Sequence, residues 1–204
     1  MNEKERRYFK ATDLEIRQEG EGDDSKRVLR GYAAIFDSES EVIFDFRETI
    51  APGAFAATLK KIPDVRATIE HQGGLTTIGR TKSKTLRLFE DKKGLRFEDD
   101  LPDTQAARDL EELIRRGDLD DMSFAFRTVE DEWGTKDGMP TRRLKELDLN
   151  DGDVSVVTYP AYKGTAVSVR SQDKAQELRA AADPERKMRQ AAMGRKLQLA
   201  EVGL

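Results

Sequence analysis

Two residues of this chain could do proton and nucleophile chemistry together. His71 is the only histidine in the sequence, and an imidazole with an ordinary pKa of about 6.5 gives and takes protons near neutrality. Ser123 lies in Met122-Ser123-Phe124-Ala125-Phe126, which reads as a strand. With a period of two, Phe124 and Phe126 share one face and Ser123, Ala125 and Arg127 share the other. If the phenylalanines enter the core, the serine points to the opposite surface beside a small alanine that leaves room for a peptide. A third group could orient the imidazole. In Leu144-Lys145-Glu146-Leu147-Asp148-Leu149 the two carboxylates share a face, and periodicity does not choose between Glu146 and Asp148. Each feature also has a plainer reading: a lone histidine in a loop, an ordinary strand serine, a solvated charged strand face.

Composition removes several other chemistries. There is no cysteine, so thiol catalysis, disulfides and cysteine-based zinc sites are excluded. One histidine cannot build a histidine-rich metal site. With 36 basic and 40 acidic residues, net charge -4, the chain lacks the basic excess of a general nucleic-acid binder. No stretch approaches the length of an apolar membrane span. The opening MNEKERRYFKATDLEIRQ has no apolar segment of the kind a secretory signal needs. The expectation is a protein that works in the cytoplasm where it is made, or inside something assembled there. Hydrophobic and charged residues each make up 37% of the chain, enough apolar side chain for one core with an appendage.

The elements that must position these residues are mostly strands. VLRGYAAIF at 28–36 and VIFDF at 42–46 read as strands, with a polar loop over 20–26 before the first. Pro52-Gly53 punctuates the chain, AFAATLKKI forms a short helix stopped before Pro63, and VRATIEH at 65–71 is a strand that ends at the histidine. Gly73-Gly74 makes a turn, a bent or double strand follows, and 84–101 reads as a hairpin. The strongest helix runs from Thr104 to Arg116, with Ala106, Leu110, Leu113 and Ile114 on one face and Gly117 as the stop. Strands at 122–131, 141–149 and 153–159 complete the set. This order fits a mostly β fold with embedded helices, a small closed or partly closed barrel. The chain is expected to divide into an N-terminal extension or edge segment at 1–27, a domain at 28–171 and, after a shift in composition, a charged helical or flexible tail at 172–204 that is a candidate for self-cleavage. Asp183-Pro184 in that tail looks like a helix start.

Several stretches resemble the prohead (capsid maturation) protease family of tailed bacteriophages and prophages. They are RGYAAIF at 30–36, ETIAPGAFAATL at 48–59, His71 followed by IGR at 78–80, and GLRFEDDLPDT at 94–104. The helix ending in RRGDLDDMSFAF and ELDLNDGDVSVVTYPAYKGTAVSVRS at 146–171 complete them. Their order and spacing, over about 28–171, carry the resemblance. It implies a serine protease fold similar to that of herpesvirus assembly proteases. The family's histidine falls on His71, its serine on Ser123 and its acidic residue on Glu146. Gln72 departs from the acidic residue or asparagine that commonly follows the histidine.

The resemblance implies a serine endopeptidase that cleaves the scaffolding segment of a major capsid protein, and itself, inside an immature capsid in the bacterial host cytoplasm. Ser123 would attack, His71 would serve as general base and acid, and Glu146 would hold the imidazole. No metal or organic cofactor is needed. Self-association is expected; the 104–116 helix is the candidate surface, with burial of its apolar stripe inside the monomer as the equal alternative. No specific nucleic acid or membrane partner is expected. Gly152, Gly164 and the arginines near them are candidates for the oxyanion site. Two rival classes are a capsid scaffolding protein and a non-hydrolytic peptide-binding barrel.

Overall fold

The structure, a computed structural model, describes residues 3–22, 25–158 and 169–182. Its organising element is the long strand β9 (Asp121–Lys136). Met122, Phe124 and Phe126 alternate into the core and are fully buried. Phe124 stacks against Phe126 with ring centroids 4.9 Å apart and meets Phe55 at 5.7 Å. Such ring pairs stabilise a core by about 0.5–1.5 kcal/mol beyond their buried area.

Strands gather on both edges of β9. Its first residues pair with β1 (Lys4–Lys10) and with β11 (Asp153–Val157), both antiparallel. Its second half pairs with β10 (Met139–Asp148). Two parallel pairings extend the sheet: β4 (Arg47–Ile50) on β10, and β5 (Arg66–Ile69) on β11. Strand β6 (Gln72–Arg80) follows β5 by a tight hairpin. The order is β4-β10-β9-β11-β5-β6, with β1 attached to β9. A second sheet runs β2 (Thr12–Glu19), β3 (Lys26–Ile35), β8 (Gly94–Asp100), β7 (Leu86–Glu90). One core joins the two, with Leu29, Leu95 and Phe97 from the second sheet and Phe124, Leu144 and Val154 from the first.

The mostly β class with embedded helices agrees with the sequence. Closure into a barrel does not: among the described residues both strand orders are linear, so the sheets are not closed. Helix α1 (Ala56–Lys60) is short, as expected. Helix α2 (Gln105–Arg116) starts at Thr104, whose hydroxyl accepts from Ala107 N at 3.3 Å, and stops at Gly117 with φ +79°. Thr104 caps an otherwise orphaned N–H, and Gly117 takes the left-handed turn without a Cβ clash. The buried face of α2 is Ala107 and Leu110, while Leu113 is exposed.

Residues 1–27, expected as an N-terminal extension or edge segment, contain strands β1 and β2. One assignment differs from the sequence reading. VIFDF is not a strand: Phe44 has φ +53°, and Ile43 and Phe46 exchange backbone hydrogen bonds around a tight reversal. The expected boundary at 171 falls inside helix α3 (Val169–Ala182), where Ser171 and Ala175 are buried. Ala175 packs with Ile43 and Phe46, partly buried Trp133 packs against this cluster, and Arg179 pairs with Asp45. The helix start expected at Asp183-Pro184 lies outside the described residues.

Candidate active site

Ser123 is built into the ladder of β9. It lies opposite Tyr8 of β1 on one edge and opposite Ser155 of β11 on the other. Ser155 in turn lies opposite Thr68 of β5. Directly opposed residues share a face of the sheet, so Tyr8, Ser123, Ser155 and Thr68 form one row across four strands. The phenylalanines of β9 point inward, as the period of two requires. The open surface expected beside Ser123 is absent: Ser123 and Ala125 are both 0% exposed.

His71 reaches this row from a turn. Ile69 pairs with Gln72, leaving Glu70 and His71 as a two-residue hairpin connection. Both have positive φ, +55° and +57°, the signature of a type I′ turn whose twist suits a hairpin. Such backbone is uncommon outside glycine, and β11 holds it. Glu70 N donates to Val156 O at 3.0 Å, and His71 N donates to Ser155 Oγ at 2.9 Å. Ser155 Oγ donates onward to Thr68 O at 3.0 Å. The Glu70 carboxylate accepts from Thr158 N at 2.6 Å and from the Thr158 hydroxyl.

The imidazole then bridges two groups. His71 Nε2 lies 2.7 Å from Ser123 Oγ, and Nδ1 lies 2.5 Å from Asp153 Oδ2. Burial pushes the Asp153 carboxyl up, but the hydrogen bond and charge of His71, with Arg6 and Thr68, outweigh it and hold the carboxyl below its ordinary value. An ionised carboxylate only accepts. Nδ1 therefore carries the proton toward Asp153, and Nε2 presents its lone pair to the Ser123 hydroxyl. The arrangement can deprotonate Ser123 as it attacks an electrophile, store the proton on the imidazole and return it to a leaving group.

The carboxylate on His71 is thus Asp153, and the structure does not bring Glu146 to the imidazole. Glu146 lies opposite Glu130 in β10, between two register shifts. Asp148 is also elsewhere, accepting from Asn150 N at 2.9 Å and from Thr58 Oγ1 at 3.4 Å. The Gly152 N–H is already spent on Leu149 O at 2.8 Å, which removes it as an oxyanion donor. What Gly152 supplies is clearance, since a Cβ there would stand 2.3 Å from Ala125 O. Gly164 lies outside the described residues. Among the described residues, no group of three or more His, Cys, Asp or Glu could hold a metal ion, and no helix is long and apolar enough to cross a membrane.

A family model described as Caudovirus prohead serine protease matches residues 12–179. No curated protein sequence matches the chain. Among solved structures, the bacteriophage T4 capsid assembly protease is similar at 9% identity and a TM-score of 0.47, covering 76% of this chain and 99% of its own.

Proposed function

This chain belongs to the Caudovirus prohead serine protease family, and from that premise we propose that it is a serine endopeptidase acting on capsid protein during phage maturation. Ser123 is the nucleophile, His71 the general base and then the general acid, and Asp153 the carboxylate that fixes the tautomer and stabilises the imidazolium. The observation that supports this reading is the imidazole bridge, with Ser123 Oγ on one nitrogen and Asp153 on the other. As Oγ bonds to the scissile carbonyl carbon, its proton passes to Nε2. That proton then goes to the departing amine, and a water activated by the same nitrogen clears the acyl-enzyme.

The substrate is the scaffolding segment of a major capsid protein, together with the protease's own chain. The place of action is the immature capsid in the host cytoplasm, and the active form self-associates through the exposed side of α2. The test is co-expression with the major capsid protein, with folding checked by circular dichroism. Wild type should shorten the capsid protein and S123A should leave it intact. Equal cleavage by folded S123A would end the assignment.

A further inference from the structure

The strand that closes one side of Ser123 lies outside the family match. That match begins at residue 12, whereas β1 spans Lys4–Lys10 and pairs with β9 over seven consecutive residues without a register shift. Its side chains divide between two environments. Glu5 and Arg7 are buried on one face, where Arg7 binds Glu48 at 2.5 Å and Arg142 binds Glu5 at 2.8 Å. The other face presents Tyr8 to the site. The charged anchor on one face therefore fixes where the tyrosine stands on the other.

Tyr8 touches both working groups. It lies directly opposite Ser123 in the ladder, and its ring meets the His71 ring edge-on, with centroids 5.8 Å apart at 90°. Its hydroxyl interacts with the Ser123 side chain, and Ser123 Oγ also lies 2.7 Å from His71 Nε2. Burial raises the phenol, outweighing the nearby charge of Arg6 and the contact with Ser123, so the hydroxyl keeps its proton at neutral pH. Among the described residues, two nearby polar groups already have partners. Ser155 Oγ serves His71 N and Thr68 O, and Gly152 N serves Leu149 O.

We propose that Tyr8 is a further catalytic residue, whose hydroxyl donates a hydrogen bond to the oxygen that becomes negative when Ser123 attacks the substrate carbonyl. A donor placed beside the nucleophile whose bond strengthens as charge develops meets the condition for lowering a barrier rather than merely binding substrate. This inference rests on the protease reading of the site.

The test uses full-length protein and a fluorophosphonate probe, which bonds to an activated serine with loss of fluoride and places an oxygen where the oxyanion would form. Wild type should label at Ser123 and S123A should not. Y8F should label roughly 10²–10³-fold more slowly, the effect typical of losing one oxyanion donor. With capsid protein as substrate, its loss should fall on kcat and leave KM unchanged. A second variant carries 3-fluorotyrosine at position 8 alone, which keeps the ring and has a more acidic hydroxyl. It should match wild type at neutral pH and lose activity at a lower pH than wild type does, because an ionised phenol no longer donates. Labelling of Y8F at the wild-type rate, a loss confined to KM, or an unshifted alkaline limb in the fluorotyrosine protein would overturn the inference. Wild type that neither labels nor cleaves would overturn the protease reading itself, and this inference with it.

Discussion

The backbone N–H of His71 donates to Ser155 Oγ at 2.9 Å, and Ser155 lies directly across the ladder from Ser123. One hydroxyl thus ties the turn that carries the imidazole to the row that carries Ser123. Ser155→Ala removes that tie and leaves a left-handed histidine to relax. The expected result is a fall in kcat of about 10–10², the scale set by small misplacements of a reacting group. Stability should fall by about 1 kcal/mol for the lost hydrogen bonds. Steady-state kinetics and thermal denaturation check both, and an S155A enzyme with wild-type kcat would remove Ser155 from the positioning of His71.

Asp153 and Glu146 should separate sharply. Asp153→Asn leaves the geometry in place but favours the wrong imidazole tautomer, a change that costs about 10⁴ in kcat in a well-studied triad. Glu146→Gln lies away from the imidazole and should stay within about ±0.5 kcal/mol in stability, with cleavage of capsid protein unchanged. His71→Asn is a better inactive control than His71→Ala, because asparagine tolerates the positive φ at this position. Dead E146Q beside active D153N would reverse the assignment.

Asp99 gives a signature in stability against pH. Its carboxyl is fully buried with neither oxygen hydrogen-bonded, pressed where a Cβ on Gly79 would stand 1.6 Å from Oδ1. Burial, with help from the charge of Asp100 and against that of Arg87, pushes the group up to about 8. The folded pKa lies above the unfolded one, so the folded state holds the extra proton. The associated stability is complete below about pH 4 and is lost as pH rises through about 8. Relative to Asp99→Asn, wild type should lose about 1.4 kcal/mol per pH unit across that window. Parallel denaturant midpoints for the two proteins from pH 4 to pH 8 would contradict this.

The buried charges beside β1 should behave as a unit. Arg142 contacts Glu5 at 2.8 Å, Glu48 at 3.0 Å and Asp131 at 2.8 Å. Burial alone would raise Glu5, yet the hydrogen bonds and charges of Arg142 and Arg7 hold it at about 2. Arg142→Met leaves two buried carboxylates facing one guanidinium and should cost about 3–5 kcal/mol. Each kcal/mol lowers Tm by roughly 2–4 °C in a domain of this size. Replacing Glu5, Arg7, Glu48 and Arg142 together by apolar residues of similar volume should recover most of that loss. The Glu5 contribution is present above its unfolded value of 4.5 and disappears as pH falls toward 2. Thermal melts of the single and quadruple variants decide whether the coupling exists.

Much of this site was legible before the fold. The alternation around Ser123 correctly sends Phe124 and Phe126 inward, and the strand over 65–71 ends where the histidine turn begins. Asp153 was missed because Asn150-Asp151-Gly152-Asp153 reads as an irregular approach to the last strand. A signal was available: in Asp153-Val154-Ser155-Val156 the valines alternate inward, which places Asp153 and Ser155 on the face of Ser123. Glu146 came from the family resemblance, because the face argument left Glu146 and Asp148 open and could not locate a strand partner; the partner of Glu146 is Glu130. Strand β1 was hidden for a different reason. Lys4-Glu5-Arg6-Arg7 looks solvated, and no periodicity reveals that Glu5 and Arg7 meet opposite charges contributed by residues 48 and 142.

That hidden strand has a practical consequence for anyone handling the gene. Trimming the coding sequence to the stretch that matches the family would begin at residue 12 and delete Glu5, Arg7 and Tyr8 together. Arg142 would lose a carboxylate, Glu48 would lose Arg7, and one flank of β9 would be stripped to bare backbone donors and acceptors beside Phe124 and Phe126. An unpaired strand next to apolar rings is a template for aggregation. Such a shortened protein should collect in inclusion bodies, with the buried partners of Glu5 and Arg7 left unpaired.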